Sequence, residues 1–145
     1  MTVHKNYIGG RWVSSSAVFT SLNPATEKPL GYFQKSVAAD INKAVDAAED
    51  AQRHWANVPA PRRGEILLRI AQLLRAEKER LARLETMEMG KVLAEARGDV
   101  QEAIDIAEYM AGEGRRLFGN TTPSELRSKF CMTVRRPVGV VGLIT

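Results

Sequence analysis

From Val138 to Ile144 the chain reads Val-Gly-Val-Val-Gly-Leu-Ile, apolar throughout and broken only by Gly139 and Gly142. Pro137 precedes the run and Thr145 is the last residue. A short run of this kind, rich in β-branched residues, predicts a strand covered on both faces, as in a parallel α/β sheet. Such a strand needs neighbours, and no other segment of the chain has the same character. Parallel neighbours also need long crossover connections. The run is therefore expected to be the first central strand of a longer protein, with its partner strands beyond Thr145.

Upstream, the pattern is different. Tyr7-Ile8-Gly9-Gly10-Arg11-Trp12-Val13 places two β-prone pieces around Gly-Gly, which predicts a tight hairpin, because glycine supplies the positive φ of a two-residue turn. Short strands are expected at Phe19–Leu22 and Leu30–Gln34, with a turn over Asn23–Glu27 between them. Ser36 is the expected N-cap of a first helix, with Asp40 in its first turn and Ile41, Ala44, Val45, Ala48, Ala51 and Trp55 on its inner face. Pro59 and Pro61 separate it from a second helix with the stripe Ile66, Leu67, Ile70, Leu73, Leu74, Leu81 and Leu84, stopped by Gly90. A third helix is expected from about Leu93 to Leu117, facing inward through Val100, Ile104, Ala107 and Ala111. Beyond Gly119, alternation of Phe130, Met132 and Val134 with Cys131, Thr133 and Arg135 predicts a half-buried strand.

Composition narrows the function classes. At 145 residues, with 44% hydrophobic and 26% charged side chains, the chain is long enough for one globular unit with a real core. A net charge of +4 is mild, and most basic residues alternate with acids along the helices. Arg115, Arg116, Arg127, Lys129, Arg135 and Arg136 are read as solvated ends of helices and strands, not as a nucleic-acid groove. Cys131 is the single cysteine, so no disulfide can close within the chain and a reducing compartment fits. The opening MTVHKNYIGG lacks the apolar centre of a signal peptide, and no run approaches the roughly 18 apolar residues of a membrane span. A soluble, cytoplasmic protein is expected, with no nucleic-acid or membrane partner.

No catalytic constellation emerges from the residues alone. The two histidines, His4 and His54, are remote from Cys131 in sequence, so no metal site is assigned. A nucleophilic cysteine needs a base and an electropositive setting, whereas Cys131 sits mid-strand and reads as an inert thiol. Gly139 and Gly142 lack the spacing of a phosphate-cradling loop.

A resemblance covers nearly the whole length. Tyr7-Ile8-Gly9-Gly10-Arg11-Trp12, Asn23-Pro24-Ala25-Thr26, Ala44-Val45 through Ala51 and Trp55, and Arg63 with Ile66-Leu67 follow one another as they do at the start of an aldehyde dehydrogenase. So do Glu85-Thr86-Met87-Glu88-Met89-Gly90-Lys91, Tyr109 with Ala111-Gly112, and Arg136-Pro137-Val138-Gly139-Val140-Val141. Pro59-Ala60-Pro61-Arg62-Arg63-Gly64-Glu65-Ile66 and Gly98-Asp99-Val100-Gln101-Glu102 lean toward the semialdehyde-oxidising branches.

The resemblance implies an α/β fold fragment. It would comprise short β-strands, three helices of a Rossmann-like cofactor domain, an oligomerisation-arm strand near 124–136 and the first central strand. Residues 1–145 would then be the N-terminal part of the NAD(P)-binding domain, without the catalytic domain. Family members oxidise an aldehyde through a cysteine thiohemiacetal, pass hydride to NAD or NADP and hydrolyse the resulting thioester. The oxyanion is held by an asparagine side chain and a backbone N–H. That asparagine, the nucleophile and the general base all have no counterpart here, so the fragment is expected to be inactive. Ile144 and Thr145 resemble cofactor-binding positions at the carboxyl end of the strand, and Glu102 resembles the mouth of the substrate tunnel. Ser21, Leu22 and Glu88 resemble a structural monovalent-cation site, with Glu88 standing where relatives often carry Asp. The implied partners are a small aldehyde and further copies of the chain, as a dimer or tetramer. The competing expectation is an autonomous helical interaction module without enzymatic activity.

Overall fold

The computed structural model describes residues 2–145. Five short strands open the chain: β1 Val3–His4, β2 Asn6–Ile8, β3 Arg11–Val13, β4 Val18–Leu22 and β5 Pro29–Gln34. β2 and β3 form the expected hairpin, pairing Tyr7 with Trp12, and Gly9 and Gly10 turn it with φ of 56° and 79°. Both central turn residues lie in the left-handed region, as a hairpin with the twist of its strands requires. β4 runs antiparallel to β5, which also takes β1 in parallel, giving the order β1-β5-β4. Between β4 and β5, Asn23 closes the expected turn by accepting the Ala25 N–H at its Oδ1 and the Glu27 N–H at its carbonyl. Gln34 is buried and fully used: its Oε1 accepts the Ser15 N–H and its Nε2 donates to the His4 carbonyl. One side chain thereby ties β5 to β1 and to the loop after β3.

Helix α1 spans Ala38–Trp55. Its N-cap is Val37, not the expected Ser36, because the Ser36 hydroxyl is occupied in accepting the Asn6 side-chain amide at 2.8 Å. Asp40 closes the helix end instead, accepting from the Val37 N–H and the Ser15 hydroxyl; those bonds, the backbone one foremost, hold its carboxyl below the usual range. The expected inner face of α1 is not covered: none of its residues is buried, and Ile41, Val45 and Trp55 are exposed.

Helix α2, Ala60–Met89, carries Pro61 in its first turn, where a missing N–H costs nothing. Gly90 stops it at φ 85° and donates its N–H to the Thr86 carbonyl. Helix α3, Leu93–Glu113, ends earlier than expected: the N–H groups of Arg115 and Arg116 close tight turns onto Gly112 and Glu113. The two helices pack as an antiparallel-type hairpin around Ala71, Ala82, Ala96, Val100, Ile104 and Ala107, with Leu74, Leu81 and Leu93 against them. Small residues let the backbones approach. A Cβ on Gly64 would stand 2.3 Å from the Ala111 carbonyl oxygen, and one on Gly114 would stand 2.4 Å from that of Ala60. The α3 face is the expected one, whereas on α2 Ile66, Ile70, Leu73 and Leu84 remain exposed while Ala71 and Ala82 are buried. α2 thus has apolar side chains on more than the face α3 covers. No helix of the described residues is long and apolar enough to cross a membrane.

The last third corrects two expectations. The half-buried strand around Phe130–Val134 is reduced to β7, Cys131–Met132, paired antiparallel with β6, Thr121–Thr122, and all four residues are exposed. The central strand expected at Val138–Ile144 is not formed, and Val138 and Ile144 are 94% and 99% exposed. A strand exists only through its ladder, and no described segment lies beside this run to accept or donate. The architecture is the expected mixture of short strands and three helices, with the terminal run extended and unpartnered.

Candidate functional site

The polar centre of the helical hairpin is Lys91, just past the Gly90 stop. Its Nζ contacts Asp99 on α3 and lies 3.2 Å from Glu85 on α2, so one ammonium fastens the end of one helix to the start of the next. Its side chain is only 18% exposed, which makes the pair of carboxylates necessary rather than ornamental. Hydrogen bonding to Asp99, then to Glu85, raises the Lys91 pKa, and the ammonium in turn lowers that of Asp99. Further along, Arg97 on α3 binds Glu79 on α2 through two bonds of 2.9 Å and, with help from Arg83, pulls the Glu79 pKa down to about 2. These groups are committed to one another and are clamps, not acid–base catalysts.

Two cavities flank this clamp. One, about 350 Å³, is an apolar trough between α2 and α3 lined by Leu74, Leu81, Leu84, Val100 and Ala103, with Glu85, Glu88 and Asp99 at its polar edge. The other, about 200 Å³, lies between the sheet and α2, where His4, Ser21, Leu30, Phe33, Leu84 and Glu88 meet. Ser21 and Glu88 thus line the same cavity, while the His4 ring stacks on Phe33 at 4.7 Å. Among the described residues no group of three or more His, Cys, Asp or Glu is placed to hold a metal ion.

Glu102 stands exposed on α3, between the buried Val100 and Ile104 in sequence and on the opposite side of the helix. Ile144 and Thr145 are exposed at the end of the unpaired run. None of the three lines either cavity, and the fold does not bring Glu102 together with the terminal pair in a common pocket. A dinucleotide needs a cleft and a phosphate cradle. Ile144 and Thr145 offer neither by themselves, so no chemical step can be built on them here. Cys131 is exposed on β7 rather than packed within a strand. The Lys91 clamp escaped the sequence reading, although a lysine directly after a helix-stopping glycine, with acids on both flanking helices, was a usable signal.

Against known proteins, the model of the aldehyde dehydrogenase family matches residues 12–145. Aldehyde dehydrogenase family 7 member A1 of Brassica napus is 38% identical over 142 residues, which is 97% of this chain and 29% of that protein. Malonate-semialdehyde dehydrogenase 1 of Geobacillus thermodenitrificans is 43% identical over 143 residues, 97% of this chain and 30% of that protein. Among solved structures, succinate-semialdehyde dehydrogenase from Burkholderia pseudomallei superposes with a TM-score of 0.88 at 38% identity, covering 94% of this chain and 29% of that one. The chain spans less than a third of the length of these relatives.

Proposed function

The chain belongs to the aldehyde dehydrogenase family, and from that premise we propose that it is the N-terminal portion of an NAD(P)-dependent enzyme oxidising a semialdehyde to its carboxylic acid. The observation that carries this reading is the family match running from Trp12 to Thr145 without a break, while the relatives extend more than three times as far. Relatives named for malonate semialdehyde and alpha-aminoadipic semialdehyde support the substrate class. A separate helical interaction module is not favoured, because the match includes the strands and the terminal run as well as the helices.

In this reading the cysteine nucleophile, the general base and the oxyanion-holding asparagine lie outside these residues. Cys131, exposed and without a base, is not that nucleophile. The present residues have structural tasks: the clamped α2–α3 hairpin gives the cofactor domain a rigid flank, and the run Val138–Ile144 becomes its first central strand once neighbours pair with it. Ile144 and Thr145 then face the cofactor, which supplies the hydride acceptor when bound. Glu102 meets the substrate at the tunnel mouth, where a carboxylate suits an amino-bearing semialdehyde. The segment 124–136 serves as an oligomerisation arm, and the lone cysteine fits a cytoplasmic setting.

The test has two arms. The 145-residue chain should form no NADH or NADPH from any aldehyde, and turnover above a protein-free control would overturn the assignment of the catalytic groups to other residues. The coding sequence past Thr145 should continue with Pro-Trp-Asn or a close variant; a different continuation would remove the oxyanion asparagine and the reading with it.

A further inference from the structure

Read along the sequence, Arg135 and Arg136 are solvated strand ends. The fold changes their company. Arg63, from the first turn of α2, meets Arg135 and Arg136 across a cleft of about 300 Å³ that also contains Leu117 and Pro137. An adjoining cavity on the same residues, about 570 Å³, continues to the turn between α1 and α2 at Asn57 and Val58. No carboxylate lines either space. Among the described residues none of the three guanidinium groups has an ion-pair partner. Two acids close to the cleft-lining residues in sequence are already engaged, Glu65 with Arg62 at 2.9 Å and Glu113 with Arg116 at 2.6 Å.

Two of the three arginines are also held in place. Arg63 rides on a helix and is half-buried. Arg135 donates its Nε to the Phe118 carbonyl at 3.2 Å, which leaves its two terminal nitrogens without a hydrogen-bond partner among the described residues. The segment that carries it is fastened two residues earlier: Thr133 donates its N–H to the Asn120 carbonyl at 2.9 Å, and its hydroxyl accepts the Asn120 N–H at 2.8 Å. Three like charges converging without a counter-charge repel one another, and an anion that accepts from all three relieves the repulsion.

We propose that this cleft binds the phosphate group of a small molecule, either free phosphate or a phosphate monoester. A single carboxylate would offset one of the three charges and use one fork. A phosphate dianion offsets two and presents three acceptor oxygens, matching the arginine geometry. None of these residues is assigned a catalytic or cofactor role above, although Arg135 and Arg136 close the segment proposed as an oligomerisation arm.

Calorimetric titration of the 145-residue chain tests it, with inorganic phosphate in one arm and glycerol phosphate in the other. One saturable site is expected in the millimolar range or tighter, weakened by added salt. Saturation in both arms identifies a monoester site, and saturation by inorganic phosphate alone identifies a free-phosphate site. Arg136→Gln, on an exposed segment that cannot disturb the helical hairpin, should weaken binding about tenfold, as loss of one charge-assisted hydrogen bond implies. Arg63→Gln should do the same with the helical signal unchanged, while Arg80→Gln, outside the cleft, should leave binding intact. The proposal fails if neither ligand saturates, or if Arg136→Gln binds as the wild-type chain does. It fails equally if a mixed-sequence oligonucleotide binds far more tightly than either phosphate, which would make the cleft part of a nucleic-acid surface.

Discussion

The α2–α3 hairpin and the stretch after Gly119 both carry many apolar residues and meet opposite fates. In the hairpin, Ala71, Ala82, Ala96, Val100, Ile104 and Ala107 vanish from solvent between two helices of 30 and 21 residues. After Gly119 every residue but Ser124 is exposed, including Phe130, Val138, Leu143 and Ile144. The contrast teaches that apolar content does not bury itself. A helix satisfies its own backbone and needs only one neighbour for its side chains, which α2 and α3 provide for each other. A strand needs a neighbour for its backbone before its side chains count at all.

The sharpest way to break the comparison is to remove the one large side chain that is wholly buried in the hairpin. Ile104→Ala should lower the unfolding free energy by about 2–5 kcal/mol, read by urea denaturation followed at the helical circular dichroism signal. A smaller loss there would mean that the hairpin has no tight core. Next comes the backbone contact: Gly64→Ala sets a methyl 2.3 Å from the Ala111 oxygen, and forcing the helices apart should cost about 1–3 kcal/mol.

Charge gives a milder effect. Glu79, at about 2 instead of 4.5, binds a proton less readily folded than unfolded. Its contribution is therefore complete above the unfolded value of 4.5 and fades as pH falls toward 2, so helical signal should be lost in that window. Arg97→Gln, which removes the principal partner, should return the folded value toward 4.5 and flatten the loss in that window. The pair is half exposed, so high salt should shrink the difference. The smallest effect is expected in the other region. Ile144→Ala should change stability by no more than about 0.5 kcal/mol, because nothing packs on it.

What the sequence made legible was whatever short stretches decide by themselves. The hairpin at Gly9-Gly10, the Asn23 turn, the stop at Gly90 and the inner face of α3 each follow from dihedral limits or a 3.6-residue period within a few turns of chain. The start of α1 was misplaced by one residue because Asn6, far upstream, takes the Ser36 hydroxyl. The face of α2 was misread for a related reason: its leucines and isoleucines run over more than one face, and only α3 decides which is covered. The terminal run is legible as an apolar strand candidate whose partners lie elsewhere, and it stays unpaired here because pairing is a relation between segments and not a property of one. The site divides in the same way. Glu102, Ile144 and Thr145 are visible only through resemblance to a family, and all three are exposed. The arginine cleft had no local signal, because Arg63 meets Arg135 and Arg136 only after α2 and α3 have folded back on each other.

Amide hydrogen exchange, resolved by residue, measures the central contrast most directly. Amides around Ala71, Ala82, Val100 and Ile104 should be protected to nearly the global unfolding free energy, while those of Val138 to Ile144 exchange at the rate of an unstructured peptide. Strong protection across Val138–Ile144 in the isolated chain would show that the run has found a partner among these residues, and would contradict the view that it waits for strands it does not yet have.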